Sequence, residues 1–203
     1  ITPHIRDVCD GFADQGYRVV APALFDRVQR GMELEYGAKG FQVGVGLRKL
    51  IPIEYSMMDI AACIDHLRLA EGEQEDGETR KFGGAENEQP APAKVGCVGY
   101  CWGGTLAWVA AQRFDLDAAV GYYGGSIAGH LLGDLYCPVL LHFGEDDKSI
   151  SAEDVGNIRT AYPQAEIHTY AGAGHGFNRD PDAAHTKLAL ERTLIFLGNT
   201  LGD

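Results

Sequence analysis

One stretch of the sequence, residues 95–107 (VGCVGYCWGGTLA), constrains the fold more than any other. Its first half predicts a short buried strand, and the small and apolar residues of its second half predict the start of a helix. Only a sharp turn separates the two, and Cys101 stands at its tip between Gly99 and Gly103. Glycines are expected on both sides of the tip, because the strand and the helix approach closely and the backbone of the turn is strained.

The spacing Gly99-x-Cys101-x-Gly103 is that of a nucleophile elbow in which cysteine takes the position of serine. A thiol at this place lies at the N-terminal end of a helix, whose dipole and N–H groups favour the thiolate. Cys101 is therefore a candidate nucleophile. The alternative is a structural cysteine in a glycine-rich turn, because short motifs also occur by chance.

Segments on both sides of this unit alternate between helix and strand patterns. Before it, a helix is predicted from Thr2 as N-cap and Pro3 to a stop at Gly16, then a buried strand over 17–24 and an amphipathic helix over 55–69. After it, strands are predicted at 117–123, 137–144 and 165–170, and helices at 102–114, 151–162 and 181–197. This alternation predicts an α/β fold with a mainly parallel sheet and helices on both faces, in a single domain over residues 1–203.

Two segments interrupt the alternation. Residues 25–53 are irregular, with helical turns only near 26–36 and 45–50, and a loop region of this length is often functional. Residues 71–93 are acidic and glycine-rich, which predicts a mobile surface insertion that cannot bury a core. Because the sequence starts at a helix and without Met, we expect it to begin inside a longer chain whose first strands precede Ile1.

Composition limits the partners. The net charge of −12 disfavours nucleic acids and anionic membranes, and no apolar run is long enough to span a bilayer. Five scattered cysteines without a C-x-x-C pair fit a reducing cytosol, so we expect a cytoplasmic protein. We expect no metal site, because His4, His66, His130 and His185 lack cysteine or carboxylate neighbours at metal-ligand spacing. We also expect no cofactor. His142, inside a predicted strand, is interpreted as a core histidine.

A cysteine nucleophile needs a base to take its proton, and the base needs an orienting acid. The strand at 137–144 is followed by Glu145-Asp146-Asp147, and the strand at 165–170 is followed by a glycine-rich loop that contains His175. Active sites of parallel sheets lie at the carboxyl ends of the strands, where these residues are predicted to lie. The order of nucleophile, acid and histidine along the chain is that of α/β-hydrolases.

Four motifs together carry a family resemblance: Gly99-Tyr100-Cys101-Trp102-Gly103-Gly104, Gly121-Tyr122-Tyr123-Gly124, Gly144-x-x-Asp147 and Ala173-Gly174-His175-Gly176-Phe177. They resemble the dienelactone hydrolase family, as does the final helix with Glu191-Arg192-Thr193-Leu194-x-Phe196-Leu197. The resemblance covers nearly the whole chain except 30–53 and 71–93. It implies an α/β-hydrolase fold.

The resemblance also implies roles for individual residues. Cys101 would be the nucleophile, His175 the base and Asp147 the acid that orients it, while the backbone N–H of Trp102 would bind the oxyanion. Arg179 would bind a substrate carboxylate through its guanidinium fork, or else be a solvated loop cation. Apart from the resemblance, Tyr122 and Tyr123 could line a pocket, and Tyr122 is a candidate substrate-binding residue, although two aromatic residues that end a buried strand are more often part of the core.

The sequence departs from the family at two places. The family has a glutamate that interacts with the cysteine, on a segment that would precede Ile1 and would also bring the second oxyanion N–H. Glu33, Glu35 and Glu54 do not match that motif. Residues 25–53 do not match the family either, so the resemblance implies little about the substrate side of the site.

The activity implied by the resemblance is hydrolysis of a small-molecule lactone or ester, of the dienelactone or carboxymethylenebutenolidase type, through a thioester acyl-enzyme. Two alternatives remain beside it. One is a carboxylesterase or thioesterase of broad specificity. The other is a non-catalytic protein of the same fold in which Cys101 is a redox-sensitive thiol.

Overall fold

The computed structural model describes residues 2–35, 37–69 and 93–202, so the acidic insertion predicted at 71–93 lies almost entirely outside it. The chain divides into two compact units, residues 1–94 and residues 95–203. The assignment of the whole chain to a single domain stays a prediction. Within the described ranges, no helix combines the length and the apolar character that a membrane span requires.

The described residues of the first unit form three helices, α1 (Pro3–Asp14), α2 (Ala38–Lys49) and α3 (Ile53–Leu69), and a 3₁₀ turn at Leu24–Arg27. The start of α1 is as predicted, because the Thr2 side chain accepts a hydrogen bond from the Ile5 N–H and Pro3 is the first helical residue. Gly16, with φ of 90°, follows the end of the helix. The helix predicted at 55–69 is confirmed as α3.

The buried strand predicted at 17–24 is wrong. Residues 17–23 have no regular secondary structure, and Leu24 begins the 3₁₀ turn instead. Val19 and Val20, the β-branched residues behind the prediction, are 36% and 38% exposed. A strand exists only when a neighbouring strand completes its hydrogen bonds, and strand propensity alone does not supply that partner.

The irregular structure predicted over 25–53 is wrong for its second half. Residues 38–49 form α2, although Gly40, Gly44 and Gly46 stand inside it. Each glycine inside a helix costs about 1 kcal/mol relative to alanine. The three glycines therefore lowered the helix propensity of the segment, and the sequence did not predict α2.

The second unit is built on a sheet of four parallel strands in the order β1 (Gly96–Tyr100), β2 (Ala118–Tyr122), β3 (Val139–Gly144) and β4 (Glu166–Tyr170). Its helices are α4 (Trp102–Ala111), α5 (Ala152–Ala161) and α6 (Ala184–Leu201). Short 3₁₀ turns lie at Ile127–Gly129 and Phe177–Arg179. The predicted α/β class and parallel sheet are confirmed.

Two neighbouring residues of β2 show that helices cover both faces of this sheet. Gly121 faces α4, because a Cβ added there would lie 3.1 Å from the carbonyl oxygen of Gly104. Tyr122 points the opposite way, and its hydroxyl lies 2.6 Å from Thr193 Oγ1 of α6. Because side chains alternate along a strand, α4 and α6 lie on opposite faces, as predicted.

The loop after β3 ends at a well-defined helix start. The Ser151 hydroxyl oxygen caps α5 by accepting a hydrogen bond from the Asp154 N–H, and the Asp154 carboxylate accepts one from the Ser151 N–H. This capping box satisfies backbone donors of the first helical turn. The loop that contains Asp147 is therefore held at both ends, by β3 and by α5.

Candidate active site

Cys101 stands between the last residue of β1 and the first residue of α4 in a strained conformation. Its φ and ψ angles are 54° and −117°, and its backbone N–H donates to the carbonyl oxygen of Tyr122 at 2.9 Å. Among the described residues, only Cys101 and Tyr123 have a positive φ without being glycine. Such strain is typical of functional sites, where surrounding contacts maintain it.

The glycines around the turn differ in what they permit. A Cβ at Gly99 would lie 1.9 Å from the carbonyl oxygen of Gly103, and a Cβ at Gly104 would lie 2.6 Å from that of Tyr122. A Cβ at Gly103 would meet no described atom within 4 Å other than those of its chain neighbours and of the backbone of its own helix. The close approach of strand and helix therefore requires glycine at 99 and 104, and the expected requirement at 103 is wrong.

We expect Gly99→Ala and Gly103→Ala to change stability in opposite directions. Gly99→Ala forces backbone apart at the turn and should lower the free energy of unfolding by about 3 kcal/mol or more. Gly103→Ala adds a better helix former in open space and should raise it by up to about 1 kcal/mol. Urea unfolding followed by circular dichroism measures both, and equal midpoints for the two variants would contradict the packing described above.

The structure brings Cys101, His175 and Asp147 together. His175 Nε2 lies 3.1 Å from Cys101 Sγ, and His175 Nδ1 lies 2.7 Å from Asp147 Oδ2. Asp147 follows β3, and His175 lies in the loop that follows β4. Of the three acidic residues after β3, Glu145 and Asp146 are exposed, whereas the Asp147 side chain is completely buried.

Backbone hydrogen bonds fix the two loops that supply the acid and the histidine. The second carboxylate oxygen of Asp147, Oδ1, accepts a hydrogen bond of 2.8 Å from the Ser149 N–H. The Asp146 N–H donates to the Ala173 carbonyl at 2.9 Å, and the Glu145 N–H donates to the Tyr170 carbonyl at 3.0 Å. The loops are therefore joined to each other as well as to their strands.

The surroundings of His175 favour its protonated form. Its pKa is raised above the ordinary value, mainly by the hydrogen bond with Cys101, with a further contribution from the hydrogen bond with Asp147; burial opposes both. The ring of Tyr123 packs edge-on against the imidazole with 5.0 Å between ring centroids, and its hydroxyl donates to Asn178 Oδ1. The contacts of Tyr123 were not predicted, although it belongs to the Gly-Tyr-Tyr-Gly motif.

The other predicted site residues lie in three different environments. Trp102 is the first residue of α4, directly after Cys101. Arg179 is exposed, and its guanidinium covers the backbone of Gly176, where an added Cβ would lie 2.5 Å from Nη2. Tyr122 is buried, with its hydroxyl 3.1 Å from the Ala189 carbonyl. The structure thus places Tyr122 in the core on the α6 side, which corrects its assignment to substrate binding.

The interpretation of His142 as a core histidine is confirmed. It is completely buried, and both ring nitrogens have hydrogen-bond partners, Tyr170 Oη at 2.8 Å and Thr193 Oγ1 at 3.0 Å. Within the described parts of the chain, no three His, Cys, Asp or Glu side chains are grouped so that they could hold a metal ion.

Comparison with known proteins supports the resemblance. The model of the dienelactone hydrolase family matches residues 1–201. A Yersinia pestis protein named "Putative carboxymethylenebutenolidase" is 33% identical over 192 residues, which cover 87% of this chain and 64% of the relative, so the chain spans less than two thirds of that protein. The carboxymethylenebutenolidase of Pseudomonas putida is 29% identical over 208 residues, covering 97% of this chain and 80% of the relative.

A solved structure from Klebsiella pneumoniae, described under the same family name, agrees with the fold. Its TM-score is 0.69 at 27% sequence identity, and the match covers 95% of this chain and 79% of that one.

Proposed function

Because the chain belongs to the dienelactone hydrolase family, we propose that it hydrolyses a lactone or ester with Cys101 as the nucleophile. The observation that carries the proposal is the hydrogen-bonded series Cys101 Sγ, His175 and Asp147, with separations of 3.1 Å and 2.7 Å. A nucleophile, a base and an orienting acid in this geometry are what acyl transfer needs.

In the proposed reaction, the thiolate of Cys101 attacks the carbonyl carbon and the carbonyl oxygen becomes an oxyanion. The carbon–oxygen bond to the leaving group then breaks, and protonated His175 gives its proton to the departing alkoxide or enolate. A thioester to Cys101 results. Neutral His175 next takes a proton from water, the hydroxide attacks the thioester, and the thiolate leaves with the acid product released.

Trp102 is proposed to supply an oxyanion donor through its backbone N–H. The proposal rests on position, because Trp102 directly follows the nucleophile at the start of α4. The N–H after the nucleophile has this role in other elbows of the same type. The positive end of the α4 dipole adds to the stabilisation of the charge.

The proposed substrate is an activated ester or enol lactone that bears a carboxylate. A thiolate is itself a good leaving group, so its addition product is productive only when the other leaving group departs readily. Arg179 lies against Gly176, the neighbour of His175, and its guanidinium is suited to a carboxylate. The similarity to carboxymethylenebutenolidases supports the same substrate class.

Trapping of the acyl-enzyme tests the proposed function. When the protein is mixed with p-nitrophenyl acetate and quenched with acid, mass spectrometry should find one acetyl group on the peptide containing Cys101. A burst of p-nitrophenolate that is stoichiometric with protein should accompany it. His175→Ala should slow both acylation and release, since the variant lacks the proton donor and base.

The alternatives predict other outcomes. A broad esterase would be acylated equally but would turn over a neutral ester as fast as a carboxylate-bearing lactone, whereas the proposed enzyme should prefer the lactone. A non-catalytic, redox-sensitive thiol would release no more than one equivalent of p-nitrophenolate per protein, and peroxide would convert Cys101 to the sulfenic acid. Acetylation at a residue other than Cys101 would overturn the proposal.

A further inference from the structure

A network of buried polar side chains lies on the α6 side of the sheet. His142, in the middle of β3, places Nδ1 2.8 Å from Tyr170 Oη and Nε2 3.0 Å from Thr193 Oγ1. Thr193 Oγ1 lies 2.6 Å from Tyr122 Oη and 3.0 Å from the Ala189 carbonyl. We call these four side chains, His142, Tyr170, Thr193 and Tyr122, the buried network; it connects β2, β3, β4 and α6.

Counting protons identifies the tautomer of His142. If Nε2 carries the ring proton, Nε2 donates to the Thr193 hydroxyl oxygen. The Thr193 hydroxyl can then donate to the Ala189 carbonyl, and the Tyr122 hydroxyl can donate to Thr193. If Nε2 lacks the proton, the single hydroxyl proton of Thr193 must go to Nε2 and is no longer available for the Ala189 carbonyl. The network then forms one hydrogen bond fewer. The Nε2–H tautomer therefore satisfies more of the buried groups, and the Tyr170 hydroxyl donates to Nδ1.

His142 is neutral in this environment. Burial, with smaller contributions from His168 and Arg192, lowers the pKa of His142 to about 3. One ring nitrogen is then a donor and the other an acceptor, as the proton count requires.

The buried network is placed where the two functional loops depart from the sheet. His142 precedes Asp147 by five residues, and Tyr170, the last residue of β4, precedes His175 by five residues. The Tyr170 carbonyl accepts the 3.0 Å hydrogen bond from the Glu145 N–H, so Tyr170 contacts both loops. The ring of Phe177, two residues after His175, packs 5.3 Å from the ring of Tyr170.

We propose that the buried network positions the acid and the base: His142, donating through Nε2 to Thr193 and accepting at Nδ1 from Tyr170, fixes the ends of β3 and β4 and thereby the contact of Asp147 with His175. These are positioning residues, since none of them touches the reacting atoms. The proposal rests on the proposed function, because it assigns the network to the geometry of that base and acid.

The chain offers a matched pair of threonines for the test. Thr193 and Thr200 both lie on α6 and both donate to the carbonyl four residues earlier, at 3.0 Å and 2.9 Å. Only Thr193 belongs to the buried network. We expect Thr193→Val to lower kcat about tenfold, with KM within about twofold, because small displacements of catalytic groups are costly. Thr193→Ser keeps the hydroxyl and should therefore keep kcat near that of the unmodified protein. Thr200→Val should leave kcat unchanged.

Two NMR signals distinguish positioning from a loss of stability. Nitrogen shifts of labelled histidine should show Nε2–H for His142 in the unmodified protein, a measurement that no variant's folding affects. The proton between His175 Nδ1 and Asp147 should shift in Thr193→Val and stay in place in Thr200→Val. An Nδ1–H tautomer, or the same kcat and the same proton shift for both valine variants, would overturn the inference.

Failure of the proposed function would look different. Full hydrolytic activity in Cys101→Ala would remove the nucleophile from the scheme, whatever the His142 tautomer proves to be. Loss of activity in Cys101→Ala together with identical valine variants would remove only the positioning role.

Discussion

Replacing Cys101 with alanine is expected to lower the turnover of a lactone or activated ester by about 10⁴-fold or more. In the proposed reaction, the Cys101 sulfur is the only protein atom that bonds to the substrate carbon, and the described hydrogen bonds of His175 include no other cysteine thiol. Steady-state rates with p-nitrophenyl acetate measure the change. Alanine keeps the Cβ, so the strained turn, with φ of 54°, changes little.

Cys97→Ala is the matched control for this loss. Cys97 is the second residue of β1, in the same structural unit, and is partly buried like Cys101. The described hydrogen bonds of His175, however, go to Cys101 and Asp147. We expect it to keep the rate within about threefold, as for a modest packing change. If Cys101→Ala retained the rate of Cys97→Ala, Cys101 would not be the nucleophile. That result would favour the alternative in which Cys101 is a redox-sensitive thiol.

The proposed nucleophile, acid and base could be selected from sequence because each belongs to a local pattern. Cys101 stands in a turn where Gly99 packs against backbone only four residues away, since a Cβ added at Gly99 would lie 1.9 Å from the Gly103 carbonyl oxygen. Asp147 and His175 each follow a predicted strand, and parallel strands end at one edge of a sheet. The 2.7 Å contact between them follows from that topology, although their roles stay proposals.

The remaining parts of the site depend on tertiary partners that no local pattern reveals. Tyr122 and Tyr123 are adjacent and chemically alike, yet the first enters the core and the second packs on His175. Strand parity decides between them, and a shift of one residue would exchange their faces. The strand predicted at 17–24 failed for a related reason, because pairing partners are set by the fold and not by the segment.

The geometry of Asp147 makes asparagine an informative replacement. Oδ1 accepts from the Ser149 N–H at 2.8 Å, and Oδ2 faces His175 Nδ1. An asparagine side chain would direct its oxygen to the Ser149 N–H, since an amide NH₂ cannot accept that bond. Its NH₂ would then face Nδ1, which would have to accept. The ring proton would move to Nε2, opposite Cys101 Sγ, where a base must be unprotonated.

Asp147→Asn is therefore expected to reduce kcat/KM roughly 10³-fold, since this wrong tautomer blocks proton transfer from the thiol. The pKa of His175 should also fall, because the hydrogen bond and charge of Asp147 are among the causes that raise it. Asp146→Asn, at the exposed neighbour, is the control and should change neither quantity. Kinetics and NMR titration of His175 measure both, and equal losses in the two variants would mean that the charge of the loop, rather than the orientation of His175, is what the reaction requires.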